Sequence, residues 1–295
     1  MQKSISILSI VIIVLAIITS SVGLFWVDDG DSFFVENVNG DTVEIFGNGL
    51  YAHESCFKAP IDKGTDAIIL FIVLPLFFVT VLLLKKNLLR VKLLHLGLLS
   101  CLLYYSASIA FGVSYNILFL VYIMLFAACL FTFIIGISSI DLKNVKESIM
   151  PKIPHKSLVI FLVFAGLSVF VWLIEIIGSI KTGTPPGIIG ISTTEPTFVL
   201  DIGVIAPIAF YSAWLVYKRK AKGYVYSVVL LTLNAVVGLI VIAQTIFQNA
   251  YGVIVSLEEF IPFVLVFVVM SSIATILNVK VLRNIGNIIH ATKAQ

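Results

Sequence analysis

Two carboxylates, Glu175 and Asp201, are the residues whose type and position best fit chemistry inside a membrane. Each interrupts a long apolar segment that carries no Lys or Arg at the same depth. An ionisable group in a membrane helix costs roughly 2.5–3.5 kcal/mol, so its presence favours a functional role. The pair could share a proton or coordinate a cation. Alternatively, each accepts hydrogen bonds from a Ser, Thr or Tyr on a neighbouring helix, or reaches up to the interface.

Polar residues form a stripe along one face of each of two apolar segments. Steps of three, four or seven residues place the members of each stripe on a common helix face. The stripes consist of Ser100, Tyr104, Ser108, Phe111 and Tyr115, and of Ser227, Asn234, Gly238, Thr245 and Gln248. Such stripes either line a polar cavity or provide interhelical hydrogen bonds of about 0.6 kcal/mol each. We therefore add Tyr104, Ser108 and Asn234 to the ion- or substrate-binding candidates.

Three prolines, Pro75, Pro207 and Pro262, lie inside apolar segments in the halves nearer the outer side. Proline removes a helical hydrogen bond and kinks a helix, which could open a vestibule there. Neighbouring groups could equally satisfy the freed carbonyls. The three prolines are therefore our candidate kink positions.

The other titratable residues favour structural roles. Asp66, Glu258 and Glu259 fall where helices are expected to begin, and carboxylates in a first turn are stabilised by free backbone amides. His95 and His155 fall at helix ends, where they suit topology rather than catalysis. We expect no metal site, because the run from His53 to Cys56 lacks a second ligand pair.

The elements that must position these residues are membrane helices. Of the 295 residues, 60% are hydrophobic and 12% are charged, against about 25% charged in soluble domains. The apolar blocks are long enough to span a bilayer, which needs about 20 helical residues. We predict an all-α integral membrane bundle of about eight helices. The predicted spans are Ser4–Trp26, Asp66–Leu84, Leu93–Gly112, Ile117–Ile140, Ser157–Ile180, Thr197–Tyr217, Gly223–Ile246 and Leu257–Val279.

Basic residues near the span ends predict the orientation. Of the 19 Lys and Arg residues, only Lys58, Lys63 and Lys181 fall on the side opposite to the rest. Because Lys and Arg are retained in the cytoplasm, both termini are expected there, in a plasma membrane. Most acidic residues fall on the outer side. Contact with the lipid bilayer explains the short basic clusters, and nucleic-acid binding is not expected.

The long outer loop, Val27–Thr65, carries a hairpin signal. Alternating apolar residues flank Asn39-Gly40, the dipeptide typical of a two-residue turn. The predicted register places Phe34 opposite Ile45 and Glu36 opposite Val43. A third short strand is expected at Leu50-Tyr51, and the ribbon is expected to cap the outer helix ends.

A cytoplasmic linker, residues 141–156, divides the chain into residues 1–140 and 157–295. Each part is expected to hold four helices, and the second helix of each bears an acidic residue followed by a proline: Asp66 and Pro75, then Asp201 and Pro207. Four spans per half imply a parallel internal repeat. The alternative is that any two four-helix stretches look alike.

Short motifs carry a resemblance to a known group. They are Gly49-Leu50-Tyr51, Leu74-Pro75-Leu76, Asp201-Ile202-Gly203, Ala206-Pro207 and Gly223-Tyr224. With these motifs the chain resembles an uncharacterised group of prokaryotic polytopic membrane proteins. The resemblance implies the multi-pass topology and brings no activity, cofactor or catalytic residue.

These observations favour a transporter-like protein for a small solute or cation, with an acidic outer vestibule. Two alternatives stay open: a non-catalytic sensor or assembly partner that uses the outer loop, and an intramembrane enzyme acting on lipid. The sequence contains none of the short hydrolase, protease or phosphate-binding motifs. An enzyme is therefore the less favoured interpretation, and we expect no cofactor.

Overall fold

The computed structural model describes residues 2–148, 153–254, 256 and 260–285. Within these residues, eight helices are long and apolar enough to cross a membrane, which confirms the predicted all-α membrane architecture. They are α1 Gln2–Phe25, α2 Lys58–Leu84, α3 Leu89–Gly112, α4 Phe119–Ser138, α6 His155–Thr182, α7 Pro196–Tyr217, α8 Ala221–Ala250 and α9 Val266–Asn284. A short helix, α5 Leu142–Ser148, lies between α4 and α6.

We name the two ends of the bundle after the segments that lie there. The loop end carries the segment between α1 and α2, and the hinge end carries the tight turns between α2 and α3 and between α7 and α8. At these turns Asn87 and Arg219 have left-handed backbones, with φ of 54° and 53°. Amides of the turns bond back to carbonyls of the preceding helix, from Asn87 to Leu84 and from Arg219 to Val216. Each pair of helices therefore reverses direction in a few residues.

Two helices form the centre of the bundle. In α3 and α8, 67% and 56% of the most apolar stretch is buried. Their buried leucines and valines, with side chains from α1, α2, α4, α6, α7 and α9, form one hydrophobic core. The outward faces of the other helices expose large apolar side chains, such as Leu76, Ile134 and Ile276. Such a surface is suited to lipid rather than to water.

The predicted hairpin is confirmed, but its predicted register is wrong by one residue. Strands β1 Phe33–Glu36 and β2 Thr42–Ile45 are antiparallel, with Phe33 opposite Ile45 and Val35 opposite Val43. The turn is longer than two residues, because the Asn37 side chain accepts hydrogen bonds from the amides of Asn39 and Asp41, each at 2.9 Å. A one-residue slip moves every side chain to the other face.

The predicted third strand at Leu50-Tyr51 is also wrong. Residues Gly49–Tyr51 form a 3-10 helix. The chain returns beside β2 a few residues later, where Ile45 and Ser55 form an isolated bridge. Gly49 has φ of 64°, and a side chain there would overlap the Trp26 carbonyl. A tight turn against the end of α1 therefore takes the place of a strand.

The second membrane helix begins earlier than predicted. We expected it to start at Asp66, but α2 starts at Lys58. The stretch Lys58–Thr65 contains three charged residues, so its composition resembles that of a loop. In the structure Gly64 packs directly on the backbone of α8 at Gln244. This close packing places the polar first turns of α2 inside the bundle.

The prolines lie at local changes of helix type. In α2 a π-helical turn, Ile69–Val73, precedes Pro75, and in α7 a π-helical turn, Asp201–Ile205, precedes Pro207. In each turn an amide reaches back five residues, from Leu74 to Ile69 and from Ala206 to Asp201. Pro262 lies within a third π-helical turn, Ile261–Leu265, ahead of α9. A wider π-helical turn thus accommodates the proline in each of these helices.

Two short helical turns complete the second half: a 3-10 turn inside α6, Val169–Val171, and Gly187–Ile189 in the loop between α6 and α7. Glu258 and Glu259, for which we expected capping roles, lie outside the described residues. The parallel repeat stays a prediction. Within the described residues, both halves contain a π-helical turn before a proline and a left-handed hinge residue.

Candidate functional site

Asp66 is a fully buried carboxylate in α2. It is 0% exposed. Two phenols donate to it: Tyr51 to Oδ2 and Tyr105 to Oδ1, both at 2.6 Å. Both distances are at the short end for O–H···O bonds, as expected where the acceptor is a carboxylate. Asp66 is therefore held on both oxygens by neutral donors.

This arrangement corrects our expectation for Asp66. The residue lies eight positions beyond the first residue of α2, so it does not cap a helix N-terminus. Its side chain receives hydroxyl groups from the loop and from α3 instead of first-turn amides. The depth in the bundle and the two tyrosines make it a candidate site residue that the sequence did not reveal.

A close approach between α1 and α2 shapes the Asp66 site. Gly23 lies so near that an added Cβ would overlap Asp66 Oδ2, and it would come within 2.7 Å of the Tyr51 hydroxyl. The Gly23 carbonyl accepts a hydrogen bond from Lys63 Nζ at 3.1 Å. Burial, followed by the charge of Asp66, raises the pKa of Tyr51 well above its usual value, so its hydroxyl stays a donor.

Asp201 repeats the arrangement in α7. It is 7% exposed. Tyr104 donates to Oδ1 at 2.9 Å, and the indole of Trp172 donates to Oδ2 at 2.8 Å. Trp172 comes from α6, directly after its 3-10 turn. Both carboxylates thus lie at or near a π-helical turn of a proline-containing helix, and both are held by two aromatic donors.

Helix α3 contributes a hydrogen-bond donor to each of the two carboxylates. Tyr104 and Tyr105 are neighbours in α3, and they donate to Asp201 and Asp66 respectively. Successive residues of an α-helix point about 100° apart, so neighbouring side chains can reach different helices. The central helix α3 therefore connects a carboxylate of the first half with one of the second half.

The nearby lysines have other partners. Lys58 donates to the Gly112 carbonyl at 2.7 Å and lies 3.8 Å from the Glu195 carboxylate. That ion pair is the single one among the described residues. Lys63, one turn before Asp66, is buried and bonds to a backbone carbonyl, and its charge acts on Asp66 without a direct ion pair. Neither Asp66 nor Asp201 therefore has an ion-paired partner in the described part of the chain.

Two further carboxylates lie close together between the loop and α2. Glu54 is 1% exposed, and its Oε1 accepts from the Ser114 amide. Its Oε2 and the Oδ2 of Asp62 are buried and lack a hydrogen-bond partner among the described residues. The two groups interact electrostatically, and Lys58 and Glu195 act on Asp62 as well. The loop end of the bundle thus contains several buried carboxyl groups.

The remaining predicted site residues lie apart from these carboxylates or make local bonds. Glu175 is partly buried in α6, one turn beyond Trp172, and its side chain forms no hydrogen bond or ion pair with another described residue. Ser108 donates to the Tyr104 carbonyl at 3.0 Å, and Asn234 donates to the Leu230 carbonyl at 2.9 Å. Both bonds lie within a single helix. Of the predicted set, the structure brings together Asp201 and Tyr104.

His95 is a buried residue that we had assigned to a helix end. It is 2% exposed and stacks on Phe77 with ring centroids 4.6 Å apart. Thr80 donates to the Phe77 carbonyl, so its oxygen accepts from His95 Nδ1 at 2.9 Å, and Ser9 lies 3.2 Å from Nε2. The histidine forms one wall of a cavity of about 160 Å³ at the hinge end. In the sequence, Ser9 and Thr80 lie at about the depth of His95 in the neighbouring spans. These two polar residues are the signal that could have indicated a buried His95.

Comparison with protein families, with curated proteins and with solved structures gave no match. The resemblance drawn from short motifs therefore stays an expectation, and the geometry of the chain is the basis for a functional proposal.

Proposed function

We propose that this protein is a cation- or proton-coupled transporter of a small solute in the plasma membrane. Asp66 and Asp201 are its exchanging carboxylates. The observation that carries the proposal is that both are buried in apolar helices and held by neutral aromatic donors, without an ion-paired partner in the described chain. A carboxylate in such surroundings is stabilised by taking up a proton or a cation.

The local helix geometry supports movement at the same places. A π-helical turn begins at Asp201, and another begins three residues after Asp66. Such turns are frequent at functional sites, and interrupted helices form the binding sites of many transporters. Loss or gain of charge at either carboxylate would act directly on a segment that is already not a regular α-helix.

The loop end supplies an approach for cations. Glu54, Asp62 and Glu195 place three carboxyl groups there, of which Asp62 interacts with Asp66, and Lys58 is paired to Glu195. We propose that this region is the acidic vestibule and that it faces outward, with both termini cytoplasmic. Glu175, one turn beyond Trp172 in α6, is proposed as a carboxylate on the approach to Asp201.

The test is solute-driven flux in proteoliposomes that contain a trapped pH-sensitive dye. Amino acids, sugars and organic cations are added outside in turn. We expect one class to change the internal pH, and we expect D66N and D201N each to abolish that change. D29N is the matched control, because Asp29 is an exposed loop carboxylate. Full flux in both D66N and D201N would remove them from the mechanism.

A sensor or assembly role is the second candidate, favoured by the outer face of the hairpin. Phe34 is 69% exposed and Val38 at the turn is 101% exposed. Exposed apolar side chains outside the membrane suit contact with a partner. Deleting residues 32–46 would abolish signalling in a sensor and leave the flux of a transporter measurable.

A further inference from the structure

A second cavity lies at the hinge end of the second half, between the start of α6 and the end of α7. Its volume is about 350 Å³. Its lining is divided between basic and apolar side chains. The lining residues are His155, Lys156, Val159, Ile160, Val216, Tyr217 and Arg219. We call this cavity the hinge pocket, and it is separate from both carboxylate sites.

The polar part of the hinge pocket is built for an anion. Lys156 and Arg219 are both exposed, and neither forms an ion pair with a carboxylate in the described residues. Tyr224 and His155 Nδ1 form a hydrogen bond of 2.7 Å, which leaves Nε2 as the ring atom available to a ligand. The pocket thus contains two unpaired cations and a fixed imidazole.

The N-terminus of α6 also favours an anion in the hinge pocket. Lys156 lies in the first turn of α6, where backbone amides point outward and the helix dipole favours an anion. The C-terminal end of α7 would repel an anion, but three of its last four carbonyls accept hydrogen bonds. Amides of Lys218, Arg219 and Lys220 bond to the carbonyls of Trp214, Val216 and Leu215. The left-handed backbone of Arg219 allows this closure.

The apolar part of the hinge pocket faces the membrane. Ile160 is 57% exposed and Tyr217 is 70% exposed, and Val159 and Val216 extend the same wall. A free phosphate ion would use only the basic rim. A ligand with a negative headgroup and acyl chains would use both parts, since basic pockets at the ends of membrane helices suit acidic lipid headgroups.

We propose that the hinge pocket binds the headgroup of an anionic phospholipid, with Lys156 and Arg219 contacting the phosphate. The acyl chains then lie along Ile160 and the exposed outer face of α6. This binding is independent of transport, because the pocket shares no residue with the Asp66 or Asp201 sites.

The experiment measures lipid binding to the purified protein in detergent by native mass spectrometry, with phosphatidylglycerol and phosphatidylcholine as probes. We expect phosphatidylglycerol to be preferred, and K156Q/R219Q to weaken its binding about thirtyfold. The matched control is K85Q/K86Q, which removes the same charge at the hinge of the first half. Equal losses of phosphatidylglycerol binding in the two double variants would show a general charge effect. That result would overturn the assignment of the lipid site to the hinge pocket.

A second arm distinguishes the lipid from a soluble anion. Inorganic phosphate and glycerol phosphate are added as competitors at concentrations far above that of phosphatidylglycerol. We expect little displacement, because neither contacts the apolar wall. Full displacement by inorganic phosphate would assign the pocket to a soluble phosphate ligand and overturn the lipid proposal. A variant I160N tests the wall itself, and unchanged phosphatidylglycerol binding in it would also contradict the proposal.

Discussion

Tyr104 and Tyr105, adjacent in the central helix α3, donate hydrogen bonds to two carboxylates that belong to different halves of the chain. Tyr104 bonds to Asp201 at 2.9 Å and Tyr105 bonds to Asp66 at 2.6 Å. A small rotation of α3 would change both bonds together. This helix is therefore the element through which a change at one carboxylate can reach the other.

Removing a hydroxyl from a carboxylate site should lower stability. In Y105F, Asp66 loses a donor in a fully buried position, at a cost of about 1–2 kcal/mol. We expect a clear drop in thermal unfolding temperature in detergent, and a similar drop for Y51F. The control is Y115F, because Tyr115 is 78% exposed. Equal unfolding temperatures for Y105F and Y115F would contradict the Asp66 geometry.

A methyl group at Gly23 should disrupt the Asp66 site. In G23A the new Cβ would overlap the carboxylate and crowd the Tyr51 hydroxyl, so we expect a loss of at least about 2 kcal/mol. Gly178 in α6 has nothing within 4 Å of the equivalent position. G178A should therefore be neutral or slightly stabilising, as alanine favours a helix over glycine. Thermal unfolding of the two variants compares them directly, and a neutral G23A would refute the close approach.

Glu175 and Asp201 should have different kinetic roles. Asp201 is buried and bound to two donors, whereas Glu175 is partly exposed one turn away from Trp172. We expect D201N to lower the maximal rate of flux. E175Q should raise the apparent KM for the solute and leave the maximal rate nearly unchanged. Initial rates over a range of solute concentrations separate the two effects. Loss of the maximal rate in E175Q alone would reverse the assignment.

The reactivity of Cys56 should depend on Glu44. Partial burial, and then the neighbouring Glu44 carboxylate, raise the pKa of the Cys56 thiol. A raised pKa means less thiolate at pH 8, so a maleimide should react more slowly with Cys56 than with free cysteine. The difference should close as the pH rises through the higher pKa. E44Q should speed the reaction at pH 8, and E36Q is the control because Glu36 is also an exposed strand carboxylate but does not act on Cys56. Identical rates in wild type and E44Q would exclude the Glu44 effect.

The membrane architecture could be predicted because hydropathy and charge act over whole segments. Apolar length and the clustering of basic residues gave eight helices, and the Asn39-Gly40 dipeptide gave a hairpin. The register depends on the Asn37 side chain, which extends the turn through local hydrogen bonds. The alternation of apolar and polar residues along the strands does not encode such a contact. The slip puts Phe33, Val35, Val43 and Ile45 on one face, which is more apolar than the predicted face.

The sequence indicated one of the two site carboxylates, Asp201, and not the other, Asp66, for a physical reason. Asp201 stands out because its surroundings in the sequence are apolar. Asp66 follows Asp62 and Lys63, so the same criterion placed it in the first turn of a helix, although Gly64 packs the preceding stretch against α8. The donors Tyr51, Tyr105 and Trp172 come from three separate elements. Their meeting at two carboxylates is a property of the packing, and single-helix stripes cannot show it.

The most direct measurement is an infrared pH titration of the carboxyl groups in the reconstituted protein, with wild type, D66N and D201N compared. If Asp66 and Asp201 exchange protons, each substitution removes its own carboxyl band from the titration, and D29N removes neither of them. Titrations of wild type, D66N and D201N that superimpose would show that neither group changes its protonation, and would contradict proton exchange at Asp66 and Asp201.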